Sequence, residues 1–270
     1  MERAPPAAPE WRGVDSLPMI ESFALTDTGC VRMENQDRVL TDHSLSLFVV
    51  ADGMGGHQHG EMAAELAIST VRYYVEASQD RFDVTWPFGY NFEISVDANR
   101  LVTAIQLANR QVWNHGQQSP ECKGMGTTVA AILLSDGNAV VGNVGDSRVY
   151  LLRGNELKQI SFDDTFVNTV ARQAGADVED MANHMLRNVL TQAAGSKDIL
   201  DIHIVEQQLE SGDLYLICSD GLHGVIGNAA IRSILGAGEF LERTAVRLKD
   251  AARARGGPDN ISVVLMSYNL

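Results

Sequence analysis

Apolar positions along this chain fall into short continuous runs and into helical stripes, with little strict alternation. Residues 22–25 and 45–51 read as strands. In the second, Leu47-Phe48-Val49-Val50-Ala51 is apolar without a break, the pattern of a strand covered on both faces. Ala63, Leu66, Ala67, Thr70, Val71 and Tyr74 repeat at three- and four-residue steps, which predicts a helix over 60–75. Leu101, Ala104, Ile105, Ala108 and Val112 predict a second helix, with Ser95 or Asp97 as its cap and Gly116 as its stop. The aromatic stretch 80–95 between them has no period and reads as a loop.

The middle of the chain changes character. Strands are expected at 127–134, 139–145, 147–152 and 157–160, with turn dipeptides at Asp136-Gly137 and Gly154-Asn155. Tight turns make such neighbours antiparallel, and their apolar character requires cover on both sheet faces. Residues 163–200 read as helical and polar. Strands at 200–209 and 214–219 follow, joined through Ser211-Gly212-Asp213. Helices at about 228–235 and 239–254 and a strand at 261–266 complete the pattern. The mixed order gives an α+β class, antiparallel sheets with helices outside. Residues 1–18, rich in Pro, Ala and Glu, read as a flexible leader, and 19–270 as a single domain without repeats.

Composition narrows the function. The 270 residues are 45% hydrophobic, so the chain can bury a large core. Its net charge of −14 is spread over both halves, and such a surface repels nucleic acid. The opening Met-Glu-Arg-Ala-Pro-Pro lacks the apolar segment of a signal peptide, and no stretch approaches the roughly 20 apolar residues of a membrane span. A cytoplasmic location with no membrane partner is expected. Cys30, Cys122 and Cys218 are widely spaced and form neither a disulfide frame nor a thiolate metal motif. Cys218 reads as a small buried hydrophobe and Cys30 as an exposed turn residue. The basic set Arg243, Arg247, Lys249, Arg253 and Arg255 reads as a solvated helix face, and Met181 and Met185 as packing.

Four aspartates end or follow apolar strands, in Val-Val-Ala-Asp52-Gly53, Asn-Val-Gly-Asp146-Ser147, Ile-Cys-Ser-Asp220-Gly221 and Gly-Gly-Pro-Asp259-Asn260. One Asp-Gly is a turn. Four at strand ends on one side of a sheet form a cluster, and clustered carboxylates repel unless a cation neutralises them. Oxygen ligands without His or Cys favour Mg²⁺ or Mn²⁺ over Zn²⁺. The segment 26–37 adds Arg32, whose planar fork suits phosphate, close to Asp37. A two-metal acid cluster with a guanidinium describes phosphate-ester hydrolysis.

In these residues the chain resembles the metal-dependent serine/threonine protein phosphatases of the type 2C family, in their compact bacterial form. The motifs stand in that family's order over about 20–268. They are Thr-Asp-x-Gly-x-x-Arg-x-x-Asn-x-Asp at 26–37, Val-Ala-Asp-Gly-Met-Gly-Gly-His at 50–57, Met-Gly-Thr-Thr at 125–128 and Gly-Asp-Ser-Arg at 145–148. Arg-Asn-Val-Leu-Thr-Gln-Ala-Ala-Gly at 187–195, Cys-Ser-Asp-Gly-Leu at 218–222 and Gly-x-Asp-Asn at 257–260 follow.

The resemblance implies two antiparallel sheets packed face to face with helices outside, and hydrolysis of phosphoserine and phosphothreonine in proteins. It implies two Mn²⁺ or Mg²⁺ ions and a weaker third. Asp52 would bridge the pair, the Gly53 carbonyl would serve one ion, and Asp220 and Asp259 the other. Asp37 would act through a water, Asp146 would serve the third ion, and Arg32 would orient the phosphate. It further implies a bacterial Ser/Thr kinase and that kinase's targets as counterparts, and a monomer is expected.

Three positions depart from the family pattern. Gln36 replaces a Glu and removes one negative charge near the second metal. Met54 stands where animal relatives carry a His, which leaves His57 or water as the candidate general acid. Ser161-Phe162-Asp163-Asp164-Thr165 replaces a common Asp-His-Ser before the flap. Two other readings stay open: a non-catalytic phosphoprotein-binding module on the same fold, and a phosphoesterase of small metabolites.

Overall fold

The unbroken apolar runs become central strands of two antiparallel sheets. In the computed structural model, residues 19–55, 59–79, 81, 84–118, 120–174, 186 and 189–270 are described. The 1–18 leader, His57, Met181 and Met185 lie outside these residues. One sheet has the order β1 (Met19–Asp27), β11 (Ile261–Asn269), β10 (Asp213–Cys218), β7 (Arg148–Arg153) and β8 (Glu156–Gln159). The other runs β2 (Asp37–Asp42), β3 (Leu47–Met54), β5 (Val129–Ser135), β6 (Asn138–Val144) and β9 (His203–Gln208), and the two-residue β4 (Gly126–Thr127) pairs with β3.

Successive strand residues point to opposite faces, and here both faces are dry. Phe48, Val50, Ile132 and Val141 meet Tyr215, Ile217 and Val264 between the sheets. On the opposite face, Val49, Ala131 and Val140 pack under helices α1 (His59–Ser78) and α2 (Val96–Gln118), which contribute Ala67, Val71, Leu101 and Ile105. The other sheet sends Tyr150, Leu216 and Val263 against Leu222, Ile231 and Leu248 of α4 (Asp220–Leu235) and α5 (Leu241–Arg253). Helix, sheet, sheet, helix is the resulting layer order, as expected for the α+β class.

Several boundaries differ from the sequence reading, each for a physical reason. The edge strand β2 has no apolar run because all but its first residue is only half-buried. Strands β9 and β10 are joined by a turn yet do not pair: β9 bonds to β6 in one sheet and β10 to β7 and β11 in the other. Gly116 lies inside α2 rather than ending it, where the carbonyl of Cys122 approaches its bare Cα. Ser95 does cap that helix, accepting from the Ala98 N–H at 3.1 Å. Within 163–200, the described helix is only α3 (Phe166–Ala174). Beyond it, Leu190 and Ala194 form single β-bridges to Thr165 and Thr127. Helix α4 begins at Asp220, earlier than the expected 228, with Leu222 and Ile226 already buried in its first turns, and Gly227 breaks it with a positive φ of 71°. On α5, Arg247 pairs with Glu239 and Arg253 with Asp27, as a solvated face should.

Ile132 is fully buried between the sheets. Ile132→Ala is therefore expected to cost about 2–5 kcal/mol in urea unfolding, whereas Tyr73→Ala on the exposed side of α1 should stay within about 0.5 kcal/mol.

Candidate metal centre

Strand ends and turns from both sheets meet at one end of the sandwich, and five of them carry an aspartate. Asp52 lies near the end of β3, and Asp37 opens β2 directly opposite it in the ladder. Asp146 occupies the turn between β6 and β7, where the chain crosses from one sheet to the other. Asp220 follows β10 and starts α4, and Asp259 precedes β11. Arg32, Gln36, Asp52, Gly53, Asp146, Asp220 and Asp259 line one cleft of about 550 Å³. Asp37 is fully buried behind it.

The motif residues around these acids act through the backbone. Thr128 takes the Asp52 N–H on its Oγ1 at 3.0 Å and returns its own N–H to the Asp52 carbonyl at 2.9 Å. Thr127 Oγ1 donates to the same carbonyl at 2.9 Å. The Asp52 backbone is thus gripped from one side while its carboxylate stays free for the cleft. Asn260 performs the same service for the segment carrying Arg32. Its Nδ2 donates to the carbonyls of Thr28 and Glu34, both at 3.0 Å, and its Oδ1 accepts from the Gln36 N–H at 2.8 Å. Ser219 precedes α4 but makes no side-chain cap; its hydroxyl donates to Asp37 Oδ2 at 2.8 Å instead. Gly53 has no room for a Cβ, because the backbone of Gly60 at the start of α1 crosses it.

Burial and mutual repulsion dominate the electrostatics. Desolvation pushes the Asp37 carboxyl from its ordinary 3.8 to about 6, against the lowering effect of the Ser262 and Ser219 hydroxyls. Asp146 rises to about 7, first through burial and then through the charges of Asp220 and Asp163. Asp52 and Asp220 are raised by burial, then Asp52 by Asp37 and Asp220, and Asp220 by Asp259. Asp37 Oδ1 is buried without a hydrogen-bond partner. A buried, unpartnered oxygen among carboxylates that resist ionisation is the condition a divalent cation relieves, and the all-oxygen donors fit Mg²⁺ or Mn²⁺. Among the described residues, no three acidic, His or Cys groups already stand arranged to enclose an ion. The position of Asp259 accounts for part of this. Both of its oxygens are taken by Arg32, through Nε at 2.8 Å and Nη2 at 2.7 Å.

All the acids expected from the sequence, with Arg32 and Gly53, are therefore brought together. His57 lies outside the described residues. Gln36 and Met54 both line the cleft, and the Gln36 amide oxygen lies over Gly60. The divergent segment 161–165 is tied to the turn that carries Asp146. Asp163 takes the Arg148 fork at 2.9 and 2.7 Å, and Asp164 Oδ2 accepts from the Gly145 N–H at 2.9 Å. Sequence reasoning missed His223. It is buried in the first turn of α4, and its Nε2 donates to the Asp146 carbonyl at 3.0 Å. Burial lowers its pKa to about 3, so the ring is neutral and the Nε2–H tautomer follows from the carbonyl partner. Its position three residues after Asp220 was the only available signal.

A family model described as protein phosphatase 2C matches residues 31–255. A putative protein phosphatase 2C-type of Streptococcus pyogenes is 34% identical over 245 residues, 89% of this chain and 94% of that protein. The crystal structure of the Mycobacterium tuberculosis serine/threonine phosphatase PstP/Ppp is similar with a TM-score of 0.79 and 32% identity, covering 93% of this chain and 99% of that one. The catalytic domain of the serine/threonine protein phosphatase PstP in complex with two manganese ions is similar at a TM-score of 0.76 and 31% identity, over 94% and 100% of the two chains.

The raised carboxyls bind protons more tightly in the folded chain than in the unfolded one, so the metal-free protein loses stability as pH climbs from about 4 through about 7. Its melting temperature is expected to be higher at about pH 6 than at about pH 8, and Mn²⁺ should raise it more at the higher pH. Asp146→Asn should flatten the metal-free pH dependence and reduce the Mn²⁺ effect.

Proposed function

The chain belongs to the protein phosphatase 2C family, and we propose that Arg32, Asp37, Asp52, Gly53, Asp146, Asp220 and Asp259 are the residues through which it removes phosphate from proteins. It is a protein serine/threonine phosphatase, a hydrolase that uses Mn²⁺ or Mg²⁺. When bound, the cations supply Lewis-acid charge that acidifies water and neutralises phosphate oxygens.

The chain's own residues do the placing. Asp52, immobilised by Thr127 and Thr128, would be shared by both ions, and the Gly53 carbonyl would serve one of them. Asp220 and Asp259 would serve the other, Asp37 would act from behind, and Asp146 would offer a third, weaker site. Arg32 stands at the cleft mouth, its side chain 57% exposed. Its Nε and Nη2 hold two oxygens of Asp259 side by side, and two oxygens of a phosphate monoester present the same pattern to that fork. Arg32 thus orients the phosphate and offsets charge that grows on its oxygens during in-line displacement.

Convergence of five aspartates and one arginine, drawn from both sheets, carries this reading. A non-catalytic binding module is favoured by Gln36 alone, since the rest of the acid set is intact. A bacterial Ser/Thr kinase and its targets are the proposed counterparts, with 19–270 acting as one monomeric catalytic domain in the cytoplasm. No described helix is long and apolar enough to cross a membrane.

With Mn²⁺, Asp52→Ala and Asp220→Ala are expected to lose about 100-fold or more in turnover of p-nitrophenyl phosphate and of a phosphothreonine peptide. A chelator should abolish both activities. Wild-type turnover in Asp220→Ala would overturn the assignment, and tight phosphopeptide binding with no phosphate release would favour the binding module. Arg32→Ala should lower kcat/KM about ten- to a hundred-fold, the worth of hydrogen bonds to a charged group.

A further inference from the structure

A second cavity of about 510 Å³ abuts the catalytic cleft. Leu190 lines the cleft, while Thr191 and Gln192 line the second cavity, so a single extended segment separates the two. The far wall is built on Phe162. Asn143, buried in β6, holds its backbone at both ends: Nδ2 donates to the Phe162 carbonyl at 2.5 Å, and Oδ1 accepts from the Phe162 N–H at 3.2 Å. The Phe162 ring meets the His203 ring at 4.8 Å between centroids, and the Arg172 guanidinium lies over it at 5.2 Å. His203 is fixed in turn by Asp164 Oδ1 at 2.8 Å.

This chain of contacts holds Arg172 against an aromatic face without using up its charge. Neither Arg172 nor Lys197, on the same cavity, has a carboxylate within ion-pair distance among the described residues, although the chain carries a net charge of −14. Of the two acids on the wall, Asp164 is committed to His203 and to the Gly145 N–H, which leaves Asp201 facing two cations. A stacked guanidinium keeps its planar N–H edge open for a carboxylate, and an ammonium beside it adds a point charge.

We propose that this cavity is a substrate subsite that receives an acidic side chain, Asp or Glu, of the polypeptide whose phosphorylated residue occupies the cleft. The proposal rests on the phosphatase reading above. It makes the enzyme selective for phosphorylation sites with a carboxylate to one side, the chain running past Leu190 from one cavity to the other.

The test uses the full chain with Mn²⁺ and phosphothreonine peptides identical except for one Asp or Asn, moved through successive positions on either side of the phosphorylated residue. At one or more positions the Asp peptide is expected to show a kcat/KM about two- to five-fold above its Asn twin, the range of an exposed ion pair, and the gain should vanish in high salt. Arg172→Glu combined with Lys197→Glu should reverse the preference, favouring a Lys peptide over the Asp peptide. Equal rates for Asp and Asn peptides at every position, or an acidic preference that survives both substitutions, would overturn the proposal. Absence of Mn²⁺-dependent p-nitrophenyl phosphate hydrolysis by the wild type would instead overturn the phosphatase reading beneath it.

Discussion

The structure is organised around a repulsion it does not itself resolve. Asp37, Asp52, Asp146 and Asp220 are withdrawn from water and pressed toward one another, and each resists ionisation for that reason. Left to relax, such side chains would swing outward to solvent. Several hydrogen bonds prevent this by fixing the surrounding backbone: Thr127 and Thr128 on Asp52, Asn260 on the Arg32 segment, and His223 on the Asp146 turn. Ser219 holds the Asp37 carboxyl itself. Neutral groups carry this load throughout. A fixed cation inside the cleft would cancel the very field that attracts Mn²⁺ or Mg²⁺, and Arg32 stands at the mouth instead.

Much of this was legible in the amino-acid order, and the parts that were not share a cause. The central strands could be read because they are covered on two faces, so that every residue from Leu47 to Ala51 must be apolar. Edge strand β2 lacked that signature, being half in solvent. The sheet membership of β9 and β10 was not legible, because local chemistry dictates a reversal at their turn but not which sheet the returning strand joins. Glycines at 221, 224 and 227 hid the first turns of α4, whose stability comes from packing rather than propensity. In the site, the aspartates announced themselves by sitting where apolar runs stop. The residues that aim them did not, because a threonine or histidine beside a strand end has many uses. The partner that selects one of those uses is far away in sequence, 76 residues for Thr128 and Asp52 and 77 for His223 and Asp146. The pairing of Arg32 with Asp259, 227 residues apart, was invisible for the same reason.

Buried polar contacts also tie the cleft to its surroundings. Arg148, three-quarters withdrawn from solvent, commits its fork to Asp163 and its Nη1 to the Tyr150 hydroxyl, which donates onward to Asn228 in α4. An exposed pair of this kind contributes little, but here removing either partner would strand a charge in the interior. The Gly-Asp-Ser-Arg turn is thereby joined both to the Asp163 segment and to the helix that begins at Asp220.

Aspartates reach the cleft from β2 and β3 in one sheet and from the ends of β10 and β11 in the other. Neither sheet alone brings them together. Asp259 therefore joins the other aspartates only once the segment after it is zipped between β1 and β10, so the cleft is assembled by long-range strand pairing and not by any local stretch of chain.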